Sequence, residues 1–255
     1  MAGSDDVPVL ADEDPVAVAV VRAIRTGDLA TLRRLLAADP DLVHARIGVP
    51  DGRPGSAVSR TLLHVAADWP GHYPNGAATV AVLVAAGADV DARAVGAHTE
   101  TPLHWAASSG DVEVLDALLD AGADIDAAGA VVGGGTPLDD ATAFAQWRTA
   151  HRLVERGAHP TLWHAATLGL LDRLRADLAR PHPPDPAEVS AALWGACHGG
   201  QQRAAGYLLD HGADLNWIPA WEPLTPLDAA TRSGAVALAD WLRARGARSA
   251  AGSTP

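Results

Sequence analysis

The chain has 255 residues, enough for one or two ordinary domains or for one long stack of small units. Its 48% hydrophobic content rests on alanine and leucine, with 4% aromatic residues, and its net charge of −12 argues against nucleic acid or an anionic membrane as a partner. All 19 basic residues are arginine, which excludes a lysine Schiff base, and the single cysteine, Cys197, excludes an internal disulfide and a multi-cysteine zinc site.

The opening MAGSDDVPVLADEDP is acidic and lacks the apolar core of a signal peptide, so residues 1–15 are expected to be a disordered tail. No apolar run reaches transmembrane length, and a cytoplasmic protein is the expectation. Helical periodicity begins at Val16. VRAIRTGDLATLRRLLAADPDLVHAR reads as a helix pair with an outer face made polar by Arg22, Arg25, Arg33 and Arg34. A second pair starts at Thr61 with TLLHVAA and carries an insertion, WPGHYPNG (Trp69 to Gly76), between its helices.

The third pair is spelled most fully: TPLHWAASSGDVEVLDALLDAGADID, Thr101 to Asp126. Thr101 is placed to cap a helix, and Pro102 suits a first turn whose N–H groups have no partner. His104 is placed to bond back to the threonine or to the adjoining loop. Ala106 and Ala107 let neighbouring helices approach, and Gly110 ends the first helix. Val112, Leu115, Leu118 and Leu119 recur at helical spacing and form one apolar face. Gly122 closes the second helix in the left-handed conformation.

A fourth pair begins with TPLDDAT at Thr136, after the apolar finger AAGAVVGGG (Ala127 to Gly135). Glycines leading into a helix suggest a phosphate cradle. Asp139 and Asp140 in the first turn would repel an anion, and no lysine completes a P-loop. The fifth pair, HPTLWHAATLG, follows Gly157 directly, with no room for a finger, and ends in RPHPPDP. Trp163 and Trp194 are read as replacing the helix-start histidine in the fifth and sixth pairs. The finger NWIPAWEPL then carries Trp217 and Trp221 ahead of TPLDAAT at Thr225. VALADWLRARGARSAAGSTP closes the chain, with residues 249–255 expected to be disordered.

The closing glycines Gly87, Gly122 and Gly157 stand 35 apart, and Gly212 and Gly246 stand 34 apart. A period of roughly 33 residues with T-P-L-H-x-A resembles the ankyrin-repeat family. The resemblance covers nearly the whole chain: about seven units over residues 16–248, starting near Val16, Thr61, Thr101, Thr136, Pro160, Ala187 and Thr225. It implies an all-α solenoid of helix-turn-helix units with short β-hairpin fingers and capping units at both ends. One helix pair cannot bury its apolar face alone, so the unit has to be repeated.

The resemblance also implies binding through the fingers and inner helices, which line a concave groove. One stripe of that groove follows the histidine slot: Val65, Trp105, Asp140, His164, Gly195 and Ala229. A second runs through Asp68, Ser108, Ala143, Thr167, His198 and Arg232. The binding candidates are Trp69, Trp105, Asp140, Phe144, His164, His198, Trp217, Trp221 and Arg232. Together they read as an aromatic-anchored surface of a non-catalytic protein–protein interaction module. The expected protein is a monomer without cofactor or metal, and its partner carries a basic patch. The alternative is a small-molecule or catalytic pocket around Trp105, Asp140, His164 and Trp217. Ser108, Asp140 and His164 supply conceivable nucleophile, acid and base, but no nucleophile elbow or oxyanion hole accompanies them.

Overall fold

The structure is a computed structural model that describes residues 8–49 and 58–250. Residues 1–7 and 251–255, part of the expected N-terminal tail and most of the C-terminal one, lie outside the described residues. The chain divides into two compact units, Met1–Ala158 and His159–Pro255.

The first unit opens with strand β1 (Val9–Leu10), then α1 (Pro15–Thr26), α2 (Leu29–Ala38), β2 (Arg46–Val49) and β3 (Val58–Thr61). Three further helix pairs follow: α3 (Leu62–Ala67) with α4 (Gly76–Ala85), α5 (Pro102–Ser109) with α6 (Val112–Asp120), and α7 (Pro137–Ala143) with α8 (Trp147–Glu155). The second unit holds α9 (Leu162–Thr167) with α10 (Leu171–Leu178), α11 (Pro186–His198) with α12 (Gln202–Asp210), and α13 (Pro226–Arg232) with α14 (Val236–Arg243). Each helix packs on its pair-mate. In the first unit α1, α3, α5 and α7 stack in one layer, and α2, α4, α6 and α8 in the other; in the second, α9, α11 and α13 stack in the same way. The structure is therefore an all-α repeat array.

The sequence marks account for the helix ends. Gly87, Gly122, Gly157, Gly212 and Gly246 all take φ between 90° and 105° after a second helix. Each lets the next residue's N–H reach back to the helix, as from Ala123 to the Leu118 carbonyl at 3.0 Å and from Ala213 to Leu208 at 3.1 Å. Only a left-handed residue permits this closure, and glycine adopts it without a Cβ clash. The aspartate that follows opens the finger: Asp124 Oδ1 accepts the Asp126 N–H at 3.1 Å, and Asp214 Oδ1 the Asn216 N–H at 2.9 Å. The buried face of α6 is Val114, Leu115 and Leu118, with Val112 and Leu119 at its edges.

Three features depart from the expected spelling. The segment before the first helix is not all tail: β1 pairs parallel to β2, which pairs antiparallel to β3, in a three-stranded sheet. At the other end Ala250 N–H donates to Asp228 Oδ2 at 2.8 Å and Arg248 N–H to Asn216 Oδ1 at 2.7 Å, so residues 248–250 dock on the last pair. The insertion at Trp69–Gly76, which begins with a cis Trp69–Pro70 peptide, is tied to its neighbours on both sides. Asn75 Nδ2 donates to the Gly27 carbonyl at 3.0 Å, and His72 N–H to Asp111 Oδ2 at 2.6 Å.

Candidate functional site

The start of each first helix sets the local geometry. Thr61, Thr101 and Thr161 cap their helices in reciprocal boxes with His64, His104 and His164. Thr136 and Thr225 do the same with Asp139 and Asp228. In each histidine box Nδ1 accepts the threonine N–H, at 3.3, 3.1 and 3.2 Å respectively. That fixes the Nε2–H tautomer. Nε2 of His64 then donates to the Glu100 carbonyl at 3.0 Å, and that of His104 to the Gly135 carbonyl at 3.4 Å. Each ring therefore joins its own helix to the residue ahead of the next capping threonine. Burial holds His64 down to about 3 and His104 to about 4 against an ordinary 6.5, so both are neutral links.

This geometry corrects the reading of the fifth pair. His164 occupies the histidine slot itself, three residues after Thr161, and Trp163 stands one position before it. His164 is buried and caps α9; the stripe position in that pair is Ala165. Trp194 does replace the histidine. Its indole N–H donates to the Leu224 carbonyl at 2.9 Å, just ahead of Thr225. Because α11 starts nearly two turns early, on an Asp185–Glu188 capping box, the slot lies inside a helix and needs no cap.

In the first unit the candidates Trp105 and Asp140 lie near one another's partners. Trp105 is half-buried and meets His64 edge-on at 4.9 Å, and its side chain hydrogen-bonds Glu100. Asp140 is fully buried. Its Oδ1 accepts the Val131 N–H of the finger at 3.1 Å. Burial, then the Glu100 charge, raises the Asp140 carboxyl to about 7. Phe144 and Trp69 occupy equivalent places at the ends of α7 and α3 and are exposed, Trp69 at 76%. Val131 and Val132 stand exposed on the finger tip.

In the second unit four candidates come together. Trp217 and Trp221 meet at 5.5 Å, and Trp221 meets Trp194 edge-on at 6.2 Å. The Arg232 guanidinium lies 5.5 Å from the centre of the Trp194 ring and is ion-paired to Glu222. His198 is buried beside Trp194, with Nδ1 3.3 Å from Ser233 Oγ. Trp221 is 61% exposed, and Ile218 is exposed beside it. The readings of single residues missed Trp194 and Glu222 as members of this cluster. Their signal was the departure from histidine at the slot and the acidic residue in NWIPAWEPL.

Among the described residues no group of three or more His, Cys, Asp or Glu side chains is arranged to hold a metal ion, and no helix is long and apolar enough to cross a membrane. The Cys197 thiol is pushed up to about 12 by burial, which removes its nucleophilic form at neutral pH. A model of ankyrin repeats in three copies matches residues 20–129 and 63–163, together more than half of the chain. No curated protein matches it.

Proposed function

Since the chain belongs to the ankyrin-repeat family, whose repeats generally mediate protein–protein interaction, we propose that it is a non-catalytic module that binds a protein partner through its fingers and the exposed ends of its inner helices. The carrying observation is the set of large apolar side chains left in solvent there: Trp69 and Phe144 in the first unit, Trp221 and Ile218 in the second. An exposed tryptophan on a fixed frame is the usual anchor of an interface hot spot, because it buries a large area at small entropic cost. Trp217 packs on Trp221, Arg232 lies over Trp194 beside it, and half-buried Trp105 completes the candidate surface of the first unit. Asp140, His164 and His198 lie beneath the surface and shape it from below. The net charge of −12 selects a partner with a basic patch.

The test is affinity capture from the native cell extract with the wild type beside Trp221→Ala and Trp69→Ala, read by quantitative mass spectrometry. Both side chains are exposed, so both variants keep the wild-type melting temperature. At least one partner retained by the wild type is lost about tenfold or more from a variant. No protein retained by the wild type, or equal retention by all three, overturns the reading.

A further inference from the structure

Asp140 is 0% exposed, and one of its carboxylate oxygens has no partner. Oδ1 accepts the Val131 N–H at 3.1 Å and the Val132 N–H also favours the carboxylate, while Oδ2 is buried without a hydrogen-bond partner of normal geometry. A buried acceptor without a donor is destabilising, more so when it is charged. The charges that act on it most strongly are Glu100 and Asp139, which are both negative. Asp139 is engaged in the Thr136 cap. Glu100 is half-buried and takes the Trp105 hydrogen bond. A planar indole, a half-open carboxylate and a buried carboxylate oxygen thus share one neighbourhood, in a chain of net charge −12.

A finger covers Asp140, and its two ends differ. The base is held by the N–H groups of Gly129 and Ala130, which donate to the Gly135 carbonyl at 2.8 and 3.0 Å. The tip includes Gly133 and Gly134, both at positive φ and with open space around them. The tip is itself closed by the Gly134 N–H on the Ala130 carbonyl at 3.1 Å and the Gly135 N–H on the Val132 carbonyl at 3.2 Å, so a side chain that enters beneath it displaces these bonds and the Val131 contact with Asp140.

We propose that Glu100, Trp105 and Asp140 form the seat of an arginine side chain of the protein partner, which enters beneath the finger tip Val131–Gly134. A guanidinium has the donors that this site lacks. Its five N–H groups lie in one plane and bridge two carboxylates, and its face stacks on an indole. The seat rests on the interaction function proposed above and names the chemistry that the partner presents to the first unit.

The test is NMR titration of the 15N-labelled full chain with an uncharged glycine–serine peptide carrying one central arginine, beside the same peptide with citrulline, its neutral isostere. The arginine peptide shifts the Trp105 indole N–H and the Val131 amide, and citrulline shifts neither. Asp140→Asn keeps an acceptor for Val131 and weakens the arginine peptide about tenfold or more; Glu100→Gln, on a more exposed side chain, weakens it less. Equal shifts from citrulline, no shift at millimolar arginine peptide, or unchanged affinity in Asp140→Asn overturns the seat. Should Asp140→Asn fail to fold, wild-type affinity in Glu100→Gln overturns it. A failed titration alongside partner loss in Trp221→Ala removes the seat and leaves the interaction function standing.

Discussion

Three residues after each capping threonine the chain writes histidine or aspartate, and at the equivalent place in α11 it writes tryptophan. Histidine is donor and acceptor at once, so it caps its own helix and reaches the next pair. Aspartate only accepts, and in the last pair it takes an N–H from Ala250 instead. Tryptophan only donates, and it appears where the cap is not needed. The neutral rings make stability depend on pH. His64 and His104 titrate at about 3 and 4 in the fold and near 6.5 when unfolded. Between those values the unfolded chain holds more protons, so stability falls as pH drops from 6.5 towards 4, by up to about 1.4 kcal/mol per unit for each ring. Asp140, raised to about 7 by burial, runs the other way: the fold keeps a proton that the unfolded chain releases above about 4, and stability is lost as pH rises towards 7. Urea denaturation between pH 7.5 and 4.5 checks both signs. His104→Gln flattens the profile and Asp140→Asn steepens it. A second residue prediction concerns Ala145, which takes φ 55° where other pairs place a glycine at the first-helix end. A Cβ is strained there, so Ala145→Gly raises stability by about 0.5–1 kcal/mol, read from the midpoint of denaturation. The slot was legible in the letters as a cap. In the fifth pair the adjacent letters Trp163 and His164 both suit a helix start, and only the hydrogen bond from the Thr161 N–H to the His164 ring identifies the slot.

At the level of helices, what the letters spell locally they spell well. Gly122 and its equivalents end second helices, Gly110 ends a first helix, and the threonines begin them, because each mark acts on a backbone a few residues away. The aromatic cluster of the second unit was half legible: Trp217 and Trp221 stood out in their finger, whereas Trp194 joins them from a helix more than twenty residues earlier. The β1–β2–β3 sheet was not legible at all. Its pairing is non-local, and Arg46 is recruited to hold it through Ser59, with Nε 2.8 Å from the Ser59 hydroxyl. Trp194 makes the joint between α11 and the finger ahead of α13, and that joint has a measurable strength. Trp194→Phe keeps most of the apolar bulk but leaves the Leu224 carbonyl without its donor. It should lower the stability of the second unit by about 1–3 kcal/mol, seen as an earlier transition in thermal circular dichroism.

Across the whole chain, the boundary between the two compact units falls at Ala158–His159, where the fifth pair follows with no finger. Every helix of the first unit has packing partners within residues 1–158. A fragment of residues 1–158 should therefore fold by itself, with helical circular dichroism and one cooperative melt; a disordered fragment would refute this. The seven helix pairs of the described residues give a frame, and the proposed specificity sits in the letters that differ from pair to pair. The insertion at Trp69–Gly76 carries a consequence for proteolysis. An eight-residue loop that breaks a repeat would ordinarily be the first place a protease cuts. Here Asp111 grips one side of it and Gly27 the other, so a scissile segment cannot be drawn out without loosening two neighbouring turns. Among the described segments, limited digestion should nick the glycine tip at Gly133–Gly134 first and leave the loop that bears Trp69 whole.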